Sequence, residues 1–129
     1  MTMITTFSTS LFFVLTLFVV IFQWLIFLKL PLGEYTMGGL NKGVLPKKYR
    51  ITALIQSFIL LFNGIVVLDA GFQFSVFSNT FIEYYRWFIM VLMFISMVMN
   101  LITKSQKERR LWAPVTVVMF VLSMIVLMG

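Results

Sequence analysis

The 129-residue chain contains no cysteine and no histidine. The first absence excludes disulfides, thiolate metal sites, iron–sulfur clusters and thiol nucleophiles. The second removes Ser-His triads, imidazole-bound zinc and His-ligated haem. Charge is also scarce: 11% of the residues are charged, and only four of them are acidic. With 61% of positions apolar, the chain cannot be a soluble domain, a disordered tail, a collagen-like fibre or a coiled coil. So little acid–base or metal chemistry is available that the expectation is a non-catalytic protein with no cofactor and no metal.

What the chain does have is four long apolar runs, at about 11–30, 47–70, 81–103 and 111–128. Each is long enough to cross about 30 Å of hydrocarbon at 1.5 Å per residue, the fourth being the shortest. A barrel strand would alternate apolar and polar residues, whereas these runs are continuous. Backbone groups in lipid must be satisfied within their own segment, which makes the spans helical. The first run is read as a retained helix, because no Lys or Arg precedes it and no small-residue cleavage site follows it. The expected fold is an all-α membrane protein, an antiparallel four-transmembrane-helix bundle forming a single domain.

End signals agree with these limits. Pro46 suits the first turn of the second helix. Thr80 with Glu83, and Ser105 with Glu108, have capping-box spacing ahead of the third and fourth runs. Pro114 either kinks the fourth helix or starts it. Nine of the ten basic residues lie in or beside the first and third connections, and Arg86 is the exception. The positive-inside rule therefore places both connections, about 31–50 and 104–110, in the cytoplasm and both termini outside. Trp112 then fits an inner aromatic belt, and Tyr84, Tyr85 and Trp87 an outer one.

Polar residues within the spans are few and fall on helical stripes: Thr16 and Gln23, Gln56 and Asn63, Ser96 and Asn100, Thr116 and Ser123. They form a candidate intramembrane polar layer, read as interhelical glue or as a polar substrate pocket. No ionisable residue occupies the middle of a span, where proton-coupled pumps usually keep one. Asp69, Glu83 and Arg86 form an expected outer charged cluster, through an Asp69–Arg86 or Glu83–Arg86 pair or a cation site between the two carboxylates. Met90, Met93 and Met97, with Met124 and Met128, are read as packing residues rather than Cu(I) ligands.

The first connection is the most unusual segment, with four glycines, two prolines and four basic residues between Pro31 and Arg50. It is read as a flexible loop whose charges fix topology. The alternative is a lipid head-group site, with backbone N–H groups at Gly38, Gly39 and Gly43 and charge from Lys42, Lys47, Lys48 and Arg50. Leu30–Tyr35, Met37–Gly39, and Leu45–Lys48 with Arg50 resemble segments of small four-span membrane proteins of Gram-positive bacteria. Asn100, the Lys104–Arg110 segment and Pro114 are similar to the same group. The resemblance implies a bacterial cell-membrane location and brings no activity or site with it.

The expected function is that of a multi-pass integral membrane protein binding a partner protein or anionic lipid. A small-solute transporter or channel acting as an oligomer is the alternative. The partners expected are membrane lipids, a second copy of the chain or another membrane protein, and not nucleic acid.

Overall fold

A computed structural model describes residues 2–129. Four helices account for most of them: α1 (Met3–Phe27), α2 (Lys47–Phe72), α3 (Asn79–Ile102) and α4 (Gln106–Met128). All four are long and apolar enough to cross a membrane, so the chain is built as a multi-pass membrane protein.

The helix ends show which local signals prevail. α1 begins at Met3, well before the first uninterrupted apolar stretch, because its early hydroxyls are absorbed by the helix. Thr2 caps it by accepting the Thr5 N–H (3.1 Å), and the Thr6 hydroxyl donates to the Thr2 carbonyl (3.0 Å). α1 ends at Phe27, before Pro31 is reached. Lys29 takes a left-handed conformation (φ 72°), and the N–H groups of Lys29 and Leu30 bond to the carbonyls of Ile26 and Leu25. This is Schellman geometry without its usual glycine. Pro46 sits at the N-cap of α2 instead of inside its first turn.

The Thr80–Glu83 box does not form. Asp69 accepts the N–H groups of Val76 (3.0 Å) and Phe77 (3.1 Å), and the chain enters α3 with Ser78 at the cap, accepting the Phe81 N–H. Thr80 is by then within the first turn. Ser105 does cap α4, accepting the Glu108 N–H at 3.2 Å. Pro114 therefore lies inside α4. Two residues on, the Thr116 hydroxyl donates to the Trp112 carbonyl (2.7 Å).

The helices pack as two antiparallel pairs, α1 with α2 and α3 with α4, joined mainly through α1 and α4. Their shared core holds Phe12, Val66, Val67, Ile89, Met90, Met93, Met119 and Leu122. Met90 and Met93 fill this core, as their flexible side chains suit them to do. The closest approach is along the α1–α2 seam, where α2 lacks side chains. A Cβ on Gly64 would lie 2.8 Å from Thr16 Cγ2, and one on Gly71 would overlap the Thr9 hydroxyl. Thr9 and Thr16 are seven residues apart, as are Gly64 and Gly71, so the antiparallel register repeats every two turns.

Candidate functional site

The first and third connections meet at one end of the bundle, which carries most of the positive charge. The first connection is not a loose loop. Its residues form two short 3₁₀ turns, Gly33–Tyr35 and Met37–Gly39, laid against the start of α4. Met37, Gly38 and Gly39 all have positive φ, between 51° and 72°. Two of the three are glycines, which adopt this conformation without a Cβ penalty. The turn presents the Gly38 N–H to the buried Glu108 carboxylate, which accepts it at 2.9 Å. A side chain on Gly39 would collide with Ser105, since its Cβ would lie 2.7 Å from the Ser105 Cβ.

Three further contacts complete this latch. Ser105 Oγ donates to the Glu34 carbonyl (2.5 Å), and Trp112 Nε1 donates to the Tyr35 carbonyl (2.9 Å). Lys107 forms an ion pair with Glu34, the only one among the described residues. Hydrogen bonding from Lys107, and then its charge, hold the Glu34 carboxyl below the usual carboxylate range. Trp112 is buried against Phe22 (4.6 Å between ring centroids) and Phe18 (5.5 Å), so it anchors the latch and is not a belt residue. Leu45 plugs the same end, packed with Ile26 and Ala53.

Two of the three glycines suggested as a backbone cradle thus have their N–H groups already engaged. Glu108 holds the Gly38 N–H, and the Gly39 N–H bonds to the Thr36 carbonyl. Lys42, Lys47 and Lys48 remain exposed. Arg50 is half-buried, and its Nε donates to the Leu45 carbonyl (3.2 Å), which gives it a structural task. Lys104 and Arg110 add exposed charge from the third connection.

Within the spans, the polar residues do not join into a continuous layer. The hydroxyls of Thr16, Thr116 and Ser123 donate to carbonyls of their own helices, and Asn100 Nδ2 donates to the Ser96 carbonyl. Two side-chain-to-side-chain hydrogen bonds cross between helices. Gln23 Nε2 donates to Gln56 Oε1 at 3.4 Å, and the Tyr85 hydroxyl donates to Asn63 Oδ1 at 2.7 Å. These bonds link α1 to α2 and α2 to α3, as interhelical glue does.

The charged cluster at the far end is not assembled. Asp69 is buried with its carboxylate on two backbone N–H groups, Glu83 is exposed, and Arg86 Nη1 donates to the Leu127 carbonyl (3.2 Å). Backbone groups engage Asp69 and Arg86 while Glu83 faces outward, and neither expected ion pair forms among the described residues. A polar cleft of about 470 Å³ opens beside Asp69, Gln73, Ser75 and Asn79.

Sequence reasoning missed Glu34, Tyr35, Glu108 and Thr9 as contact residues. The Ser105–Glu108 spacing was visible, but not the second use of the Glu108 side chain. Comparison with protein-family models, with curated proteins and with solved structures found no match.

Proposed function

We propose that the chain is a non-catalytic membrane protein of the bacterial cell membrane whose basic end faces the cytoplasm and binds anionic lipid head groups. One observation carries this reading: the cations at that end greatly outnumber the acids able to neutralise them. Glu34 is taken by Lys107, and Glu108 is turned inward to Gly38. Lys42, Lys47, Lys48, Lys104 and Arg110 stay exposed around a connection that α4 holds in place. Fixed cations at a membrane surface attract anionic lipid by about 1 kcal/mol each, and salt weakens the attraction. The lysine ammonium groups provide this binding, since the Gly38 and Gly39 N–H groups already have partners. The interior favours this reading over transport, because Thr16, Asn100, Thr116 and Ser123 spend their donors on their own helices.

The test is the triple variant Lys42→Gln, Lys47→Gln, Lys48→Gln, with Arg50 left intact for its bond to Leu45. Binding of phosphatidylglycerol to the purified protein should fall by up to about a hundredfold at low salt, and by less at high salt. Unchanged phosphatidylglycerol binding by a folded variant would refute the proposal.

A further inference from the structure

The Gln23–Gln56 pair is under-satisfied for its position. Gln56 lies nine residues into α2, about 14 Å along the helix from Lys47 and well inside the hydrocarbon. A carboxamide offers two N–H donors and an acceptor oxygen, and lipid tails can satisfy neither. The pair shares one long hydrogen bond of 3.4 Å, and no other hydrogen bond engages either side-chain amide. Gln23 Oε1 is buried without a partner, while the Gln56 side chain is exposed on the outside of the bundle. Thr52 and Ile59, four residues before Gln56 and three after it, are also exposed and extend the same stripe of α2. Thr52 needs nothing more, because its hydroxyl donates to the Lys48 carbonyl at 2.9 Å. On this face the group without a partner is the Gln56 Nε2, since Gln56 Oε1 accepts only the long bond from Gln23.

We propose that this stripe is the contact surface for a second copy of the chain, with the two Gln56 carboxamides hydrogen-bonded to each other across a two-fold axis along the membrane normal. The fit rests on hydrogen-bond complementarity. A carboxamide donates and accepts, so it is its own complement, and an isologous contact sets each residue near its counterpart. Two copies inserted in the same orientation hold Gln56 at identical depth, so the match in depth needs no further device. Interhelical side-chain amides are an established means of joining membrane helices.

The absence of natural cysteine makes the test direct. The full chain carrying Ile59→Cys or Ile21→Cys is reconstituted at high lipid excess in phosphatidylethanolamine–phosphatidylglycerol vesicles and oxidised. Ile21, on the outer face of α1, is 58% exposed and Ile59 40%, so random collision favours cross-linking at position 21. The two-fold contact instead predicts a disulfide-linked dimer for Ile59→Cys and little for Ile21→Cys. Adding Gln56→Leu should weaken self-association about three- to tenfold, and Gln56→Asn should weaken it less. As a second route, Ile59→Trp blocks the approach without touching either amide. It should leave the chain monomeric by single-molecule photobleaching, with an unchanged helical spectrum. A monomeric parent chain, preferential linking at position 21, or undiminished association of Gln56→Leu and Ile59→Trp would each overturn the proposal. The first outcome would assign the stripe to lipid or to a different protein.

Discussion

The register of α1 against α2 can be tested by adding a single methyl group. At Gly64 a Cβ would lie 2.8 Å from Thr16 Cγ2, 3.4 Å from Thr16 Cβ and 3.5 Å from Phe13 Cδ1. Thr16 cannot easily move aside: it is 1% exposed, and its hydroxyl is tied to the Phe12 carbonyl at 2.8 Å. Gly64 sits in the interior of α2, so the helices cannot splay locally to make room. Overpacking of this kind costs about 1–3 kcal/mol, against a gain of up to about 1 kcal/mol from placing alanine in a helix. Gly64→Ala should therefore destabilise by about 1–2 kcal/mol. At Gly71 the overlap with Thr9 is more severe, but the site lies within two residues of the α2 terminus, where the chain can yield. Its cost should be similar despite the worse clash.

Reversible unfolding of the purified protein in mixed micelles, followed by circular dichroism, measures both effects. The decisive comparison is the double variant Gly64→Ala with Thr16→Ala, in which the methyl added on α2 enters the space vacated on α1. It should recover most of the Gly64→Ala loss, giving a coupling of about 1 kcal/mol between the positions. Pairing Gly64→Ala with Thr9→Ala should give no such recovery, because Thr9 faces Gly71. A neutral Gly64→Ala, or equal recovery by both threonine substitutions, would refute the register.

Glu108→Ala removes a charge-assisted bond to the Gly38 N–H and should cost about 1.5–3 kcal/mol in the same unfolding assay, with Glu108→Gln costing less. The Glu34–Lys107 pair depends on a carboxyl held below its usual range, so its stabilisation is complete at neutral pH and is lost only as pH falls through that depressed value. A bimane probe at Leu40→Cys should accordingly gain mobility under acid conditions, and Glu34→Gln should abolish the transition. In intact cells an impermeant maleimide should label Ser75→Cys but not Leu40→Cys or Gln106→Cys until the membrane is opened, and the reverse pattern would invert the topology. Asn63→Leu, which discards the Tyr85 bond and overfills a site 1% exposed, should lower stability by about 1–2 kcal/mol, whereas Ile65→Val on the lipid-facing side should be nearly silent.

The spans were legible because hydrocarbon imposes length and composition directly on sequence. Their limits were less so, because the signals at helix ends are local and compete. Hydropathy misplaced the start of α1, since Thr5, Thr6 and Thr9 read as polar although Thr5 and Thr6 bond to Thr2 and Thr9 is buried against Gly71. The small-residue face of α2, with Ala53, Ser57 and Gly64, was readable from spacing, and all three are buried. Its partner residue Thr9 was not, because nothing in α1 marks a threonine as lying opposite a missing side chain. The expected charge pairs at the far end illustrate a further limit. Asp69 and Arg86 were matched by sign, yet backbone N–H and carbonyl groups reached each of them first.

The basic end shows most clearly why a motif can be read correctly while its consequence is missed. A capping box asks the Glu108 carboxylate to return to the Ser105 N–H, whereas the latch asks it to reach the Gly38 N–H. It cannot serve both in the geometry observed. The conflict is resolved by Thr103, whose Oγ1 accepts the Ser105 N–H at 3.3 Å and so frees the carboxylate. Ser105 is also put to two uses, accepting from the Glu108 N–H and donating to the Glu34 carbonyl. Glycine spacing marked residues 38 and 39 as an anion cradle. That the anion would come from the chain itself, seventy residues further on, depends on the bundle bringing the first and third connections to the same end. An odd number of spans between those connections would have separated them across the membrane and left the cradle open.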